Sequence, residues 1–249
     1  IATLRLIFSL CDQGRNKRKK ENNDVAEESN IMNTEKRDFD KEAASWDVHP
    51  GRVKLAKDIA HAISKQIVLT PKMDIMDFGC GTGLLTLQLQ SFVRSVTGVD
   101  SSQGMLDIFN MKIAKLKLNK VNAVLVDLDK GDTLAGNYDL VVSNMTLHHI
   151  KGIESFFDQC HKITAPGGYL CVADLDLDGG QFHDDNTGVF HFGFDRVNLR
   201  KIFTKAGFDN VQDIAAAEVV KPANNGEMRK FTVFLMTGQK RSDEAELKT

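Results

Sequence analysis

The sequence predicts an α/β fold: a doubly wound, mostly parallel seven-stranded sheet with an antiparallel hairpin at one edge. Three observations carry that expectation. Short apolar runs alternate with segments of helical period. A glycine-dense turn, MDFGCGTG (76–83), joins the first such run to a helix. The last two apolar runs have no helix between them, so they pair antiparallel.

The elements follow in order. Residues 40–67 have helical period, placing Val53, Leu55, Ile59, Ala60 and Ile63 near one face, and Pro71 ends the region. Residues 73–79 form a buried strand closing on glycine, 84–92 a helix, 95–100 a strand, 102–118 a helix and 121–127 a third strand. Strand 138–144 and helix 153–164 come next, then the Pro166-Gly167-Gly168 turn introduces strand 167–174. A helix over 195–207 is capped by Gly207, and strands 210–220 and 229–239 finish the fold. Residues 175–194 are polar, glycine-containing and aromatic, as expected of a long functional loop.

Composition bounds the function. The 249 residues are 42% apolar and 27% charged, as in an ordinary globular protein, and the net charge of −2 speaks against a broad nucleic-acid surface. The four cysteines form no CxxC pair, which argues against a zinc site or disulfide framework and for a reducing, cytoplasmic setting. No apolar run approaches the roughly 18–20 residues of a membrane span. The opening IATLRLIFSLC is short and broken by Arg5, and Leu10 stands where a lipoprotein signal needs a small residue. The charged stretch after it lacks aromatics, and Met32 reads as a natural start. The expected organisation is a disordered extension over 1–37, one domain over 38–240 and a frayed tail over 241–249.

The glycine turn discriminates among ligands. A phosphate-binding P-loop needs a lysine after the glycines, and none is there. A dinucleotide turn needs GxGxxG, but Leu84 occupies the third glycine position, and the pattern is GxGxG through Gly79, Gly81 and Gly83. With Asp77 two residues ahead, this stretch resembles motif I of class I S-adenosylmethionine-dependent methyltransferases. The resemblance extends in order along residues 38–240: VTGVDSS ends the second strand on Asp100, SSQGML supplies Met105, VDLD supplies Asp127 and Leu128, SNMTLHHI supplies Asn144, and APGGYL enters the fifth strand. FDKEAASWD ahead of the core, LHHI and the PGG turn look most like the small-molecule group, the quinone-biosynthesis C-methyltransferases and their relatives.

The resemblance implies S-adenosylmethionine as cofactor, held by Asp77, Gly79, Cys80, Gly81, Thr82, Gly83, Asp100, Ser101, Met105, Asp127, Leu128 and Asn144. In that reading Asp77 accepts from the cofactor's ammonium group and Asp100 from its ribose hydroxyls. Met105 and Leu128 lie against adenine, Asp127 takes its amino group, and Asn144 lies beneath the cofactor. Phe39 and Trp46 fall in a segment that often lids the cofactor in such enzymes, although Trp46 suits a core position equally. Asp100 also suits a helix cap, and Asp127 a surface turn.

The implied reaction is in-line transfer of a methyl group to an O, N or C atom of a small-molecule acceptor, with His149 and His191 as candidate bases. His148 and His149 each suit either the site or packing against the sheet. Asp174, Asp176, His183, Asp184, Asp185 and His191 cluster around the late loop, as a general base, a metal site or a solvated loop would; no metal is assigned. SNMT lacks the prolines of the amino-methylating nucleic-acid enzymes, which favours a small acceptor. A protein or RNA acceptor, a non-catalytic cofactor-binding subunit and a nicotinamide oxidoreductase remain the alternatives.

Overall fold

The computed structural model describes residues 36–222 and 226–242. The expected extension lies outside them apart from Lys36 and Arg37, and the expected tail apart from Arg241 and Ser242. The described chain runs α1 (Phe39–Glu42), a 3-10 turn (Ala43–Val48), α2 (Pro50–Gln66), β1 (Asp74–Phe78), α3 (Leu84–Leu89), β2 (Ser95–Asp100), α4 (Gln103–Leu116) and β3 (Val121–Leu125). It continues through β4 (Tyr138–Asn144), α5 (Ile153–Ile163), β5 (Thr164–Leu175), α6 (Arg196–Lys205), β6 (Phe208–Pro222) and β7 (Met228–Lys240).

The sheet has seven strands in the order β3-β2-β1-β4-β5-β7-β6. The first five are parallel, and β7 runs antiparallel to both β5 and β6. The anticipated hairpin is therefore present, with β6 as the outer edge. Period-2 alternation builds a core on each face. Ile75, Leu140, Val142, Cys171 and Leu235 join one cluster with Ile59 and Ile63 of α2 and Leu85 and Leu89 of α3. Their neighbours Met76, Val141, Leu170, Val172 and Phe234 join the other with Phe156 and Phe157 of α5 and Phe203 of α6. Each fully buried large side chain contributes roughly 1.5–3 kcal/mol against exposure.

Ends shift by up to three residues at several elements, and three of the differences have a local cause. The helical period over 40–67 is broken before Pro50, which has no N–H and disfavours helical backbone at the residue before it; His49 is extended (φ −81, ψ 106) and Pro50 opens α2. Residues 39–48 thus become a separate α1 and 3-10 unit. β3 stops at Leu125, because Asp127 turns to cap a short 3-10 helix over Leu128–Lys130. β5 starts early, at Thr164: the Pro-Gly-Gly stretch lies within it, and pairing with β4 shifts register between Tyr138 and Leu140.

Strand order reverses at β1. The chain builds outward through β2 and β3, then returns to place β4 on the other side of β1. In open parallel sheets the crevice at such a switch point, outside the carboxyl ends of the strands, takes ligands. The glycine turn lies at that point.

Candidate functional site

Gly79, Gly81 and Gly83 all have left-handed backbone, with φ of 70, 53 and 82. Two of them are also packed shut. A Cβ at Gly79 would stand 2.2 Å from Thr146 Oγ1, and one at Gly83 would stand 2.2 Å from the Phe109 ring. At Gly81 a Cβ would meet only Met105 Sδ at 3.9 Å. Gly79 and Gly83 therefore close the strand–loop–helix packing, whereas Gly81 leaves its outer side open beside Met105. Val99 O, on β2, accepts from the amides of Gly79 and Cys80 (2.8 and 3.1 Å), anchoring the loop. The Cys80 side chain packs beneath it, and burial pushes its thiol pKa well above the usual range, which suits filler rather than nucleophile.

Carboxylates surround the loop. Asp100 Oδ2 accepts from the Gly81 amide at 2.7 Å, and Oδ1 from the Ser102 amide at 2.9 Å. The N-cap of α4 is Ser102, not Asp100, so Asp100 links the glycine loop to the start of that helix. Ser101 is half-buried between them. Asp77 is buried and accepts from Thr86 Oγ1 at 2.5 Å. Burial raises its pKa to about 7, more than the Thr86 bond lowers it. At the end of β3, the Val126 amide donates to Asp100 O, bringing Asp127 and Leu128 alongside. Asp127 is buried and accepts from the Asp129 amide at 3.2 Å, and Leu128 is half-buried.

Across β1, Asn144 ends β4 with its side-chain Oδ1 buried and unpartnered among the described residues. Such an atom costs about 1–3 kcal/mol until something donates to it. Met145 beside it has φ 54, a left-handed backbone at a non-glycine residue and a mark of stored strain. Thr146 Oγ1 donates to Asn144 O at 3.1 Å and also approaches Gly79 O.

The unit at 39–48 reaches back onto this crevice. Asp40 Oδ1 accepts from Ser102 Oγ (2.5 Å) and from the Gly104 amide (2.8 Å) at the start of α4. Asp47 Oδ1 accepts from Thr82 Oγ1 at 2.6 Å, and Asp47 also pairs with Lys112, whose Nζ donates to Thr82 O. The Arg52 guanidinium lies 3.6 Å from the Trp46 ring centre, and Phe39 meets both Trp46 and His149 edge-on. Asp40 and Asp47, the residues after Phe39 and Trp46, thus fasten this segment to the start of α4 and to the glycine turn. Asp40 and Asp47 were absent from the sequence-derived site, because no local pattern marks a carboxylate whose partners lie far along the chain.

The histidines separate into two environments. His149 Nδ1 donates to Gly188 O at 2.6 Å, which leaves its proton-free nitrogen at Nε2. Burial first, then His148, lowers its pKa to about 3, so it is neutral at physiological pH. His191 is committed to backbone: its Nε2 donates to Ile150 O at 2.8 Å. The late-loop cluster also divides. Asp176 pairs with Arg196, Asp184 with Lys221, and Asp185 caps the Thr187 amide. Asp174 and His183 instead converge on His148, with His148 Nδ1 donating to Asp174 Oδ1 at 2.7 Å. Burial alone would raise the Asp174 pKa, but His148 and two backbone amides hold it below the ordinary value.

Comparison with known proteins adds an independent line. Residues 51–213 match the sequence model of a family described as a methyltransferase domain. An uncharacterised methyltransferase of Schizosaccharomyces pombe is 35% identical over 161 residues, 59% of this chain and 57% of its own length. The chain thus spans little more than half of that relative. A ubiquinone biosynthesis O-methyltransferase of Coxiella burnetii is 25% identical over 83% of this chain and 86% of its own. Among solved structures, phosphoethanolamine N-methyltransferase 2 of Haemonchus contortus, in complex with S-adenosyl-L-methionine, superposes with a TM-score of 0.61 at 18% identity, covering 74% of this chain and 53% of that one. The YcgJ protein of Bacillus subtilis superposes at 0.60 with 12% identity, over 74% and 98%. These two likenesses concern the fold. Among the described residues, no helix is long and apolar enough to cross a membrane.

Proposed function

The chain belongs to the methyltransferase domain family, and from that premise we propose that it moves a methyl group from S-adenosylmethionine to an O, N or C atom of a small-molecule acceptor. The observation that carries the reading is the pairing of an open left-handed Gly81 with an orphaned Asn144 Oδ1 across the switch point. A packed structural turn explains Gly79 and Gly83 but neither of these. The residues fit a zwitterionic nucleoside: carboxylates for an ammonium group and for hydroxyls, and apolar side chains for a base.

In this reading Asp77 faces the ammonium group, and Asp100 accepts from the ribose hydroxyls. Met105 and Leu128 sandwich the adenine, Asp127 accepts from its amino group, and Asn144 Oδ1 gains its missing donor. Gly79, Cys80, Gly81, Thr82, Gly83 and Ser101 supply the backbone wall. S-adenosylmethionine, when bound, supplies an electrophilic methyl group on a sulfonium centre. The protein's share is alignment and exclusion of water, for which Phe39 and Trp46 are placed as a cover. His149 Nε2 offers a neutral acceptor that orients an acceptor hydroxyl or amine, and it precedes His191 as candidate base because His191 Nε2 already donates to Ile150. The buried free thiols of Cys80, Cys160 and Cys171 suit a reducing, cytoplasmic setting.

Incubating the protein with methyl-labelled cofactor and a fractionated cell extract tests the reading. Label is expected in the small-molecule fraction. Label appearing only in protein or RNA, or cofactor binding with no transfer to any fraction, overturns it.

A further inference from the structure

A second group of residues adjoins the crevice and shares His149 with it, so that a metal on His149 Nε2 takes that atom from the base role. The 3-10 turn after β4 (Leu147–His149) carries His148 and His149, and the loop after β5 returns His183 to them. One ring nitrogen from each of the three falls within 4.8 Å of the others. Their outward contacts determine which nitrogens face inward. His148 Nδ1 is taken by the Asp174 carboxylate and His149 Nδ1 by the Gly188 carbonyl, so both present Nε2. His183 presents Nε2 as well, 3.1 Å from His148 Nε2. Two nitrogens sharing one metal at about 2.0–2.1 Å stand about 3–3.4 Å apart. A carboxylate or a carbonyl on the far nitrogen is also the usual outer support of a metal-bound imidazole.

We propose that His148, His149 and His183 form a binding site for a divalent first-row transition metal of the zinc type, held by three neutral imidazoles through Nε2. Three protein ligands leave a coordination position open, as a site that takes up an exogenous oxygen, nitrogen or sulfur ligand requires. Three imidazoles and no inner carboxylate disfavour magnesium and calcium, which take oxygen.

One contact opposes loading. Arg37 Nη1 lies 3.2 Å from His183 Nδ1, while Nε and Nη2 of the same guanidinium are held by Glu42. Without metal, Arg37 donates to His183 Nδ1, His183 Nε2 donates to His148 Nε2, and His148 Nδ1 donates to Asp174. With metal on Nε2, the His183 proton moves to Nδ1 and the Arg37 contact is given up. No proton is gained or lost overall.

The sign of an Arg37 substitution therefore separates a metal site from a plain hydrogen-bonded chain. The test uses the untagged full chain, freed of metal by chelator, titrated with zinc by competition calorimetry and with cobalt by visible absorption, without cofactor. Expected are about one equivalent bound and cobalt bands of a low-coordinate nitrogen site. His183→Ala and His149→Ala should each weaken binding by about tenfold or more, and Arg37→Met should tighten it. Unchanged thermal unfolding of the metal-free variants shows that they fold. Binding that His183→Ala and His149→Ala leave unchanged, no binding at all, or weaker binding in Arg37→Met each overturns the proposal. Because neither cofactor nor turnover enters the measurement, the proposal stands or falls apart from the methyl-transfer reading.

Discussion

The Thr82 hydroxyl donates to the Asp47 carboxylate at 2.6 Å, tying the middle of the glycine turn to the segment that carries Phe39 and Trp46. Lys112 neutralises the carboxylate and bonds Thr82 O, so the segment is fastened to the glycine turn here and to the start of α4 through Asp40. Cutting the bond from Thr82 to Asp47 should loosen the cover with little effect on the core. Asp47→Ala should cost cofactor affinity about 1 kcal/mol, about fivefold in Kd, and make residues 37–48 easier to cleave by protease. Calorimetry and limited proteolysis check both; unchanged cleavage would show that Asp47 does not hold the segment.

The three glycines should respond differently to alanine. Gly79→Ala and Gly83→Ala push a methyl group into Thr146 or Phe109 and should markedly lower the unfolding midpoint in urea. Gly81→Ala has room for its methyl group and should lose only about 1–2 kcal/mol to its left-handed backbone, yet bind cofactor poorly. Equal loss of stability at all three positions would remove the distinction.

Asp100→Ala removes the acceptor that fastens Gly81 and Ser102 and, in the proposed reading, holds the ribose. Cofactor binding should weaken by about 1–3 kcal/mol, the scale of hydrogen bonds to a charged group. Unchanged affinity by calorimetry would sink the assignment.

Asp77 makes the pH dependence definite. Its native pKa of about 7 lies above the ordinary 3.8. Between those values the native state holds a proton that the unfolded state has lost. Its contribution to stability is therefore fully present below pH 3.8 and lost as pH rises through about 7. The cofactor's ammonium group favours ionised Asp77, so binding below pH 7 should expel that proton, and affinity should fall with acidification. At about pH 6, where an α-amino group is still protonated, the binding enthalpy should depend on the ionisation enthalpy of the buffer. Asp77→Asn should abolish that dependence; a buffer-independent enthalpy in the wild type would contradict the role.

Sequence pattern alone determined the order and type of the main elements and the glycine turn between β1 and α3. A short apolar run closing on glycine marked the strand at 73–79, Gly79-x-Gly81-x-Gly83 after it marked the turn, and two final strands without a helix marked the antiparallel edge. All of these are local: they depend on a residue and its near neighbours. Tertiary structure decided what the loop touches. Asp40 finding Ser102, Asp47 finding Thr82, and His183 arriving between His148 and Arg37 join residues far apart in the chain. Hydrogen bonds of that kind leave no periodicity behind, since their geometry exists only once the sheet has set the distances between its strand ends. The same holds for the glycines: the sequence marked all three for a turn, and only the packing of Thr146 and Phe109 separated the two that close it from the one that is left open.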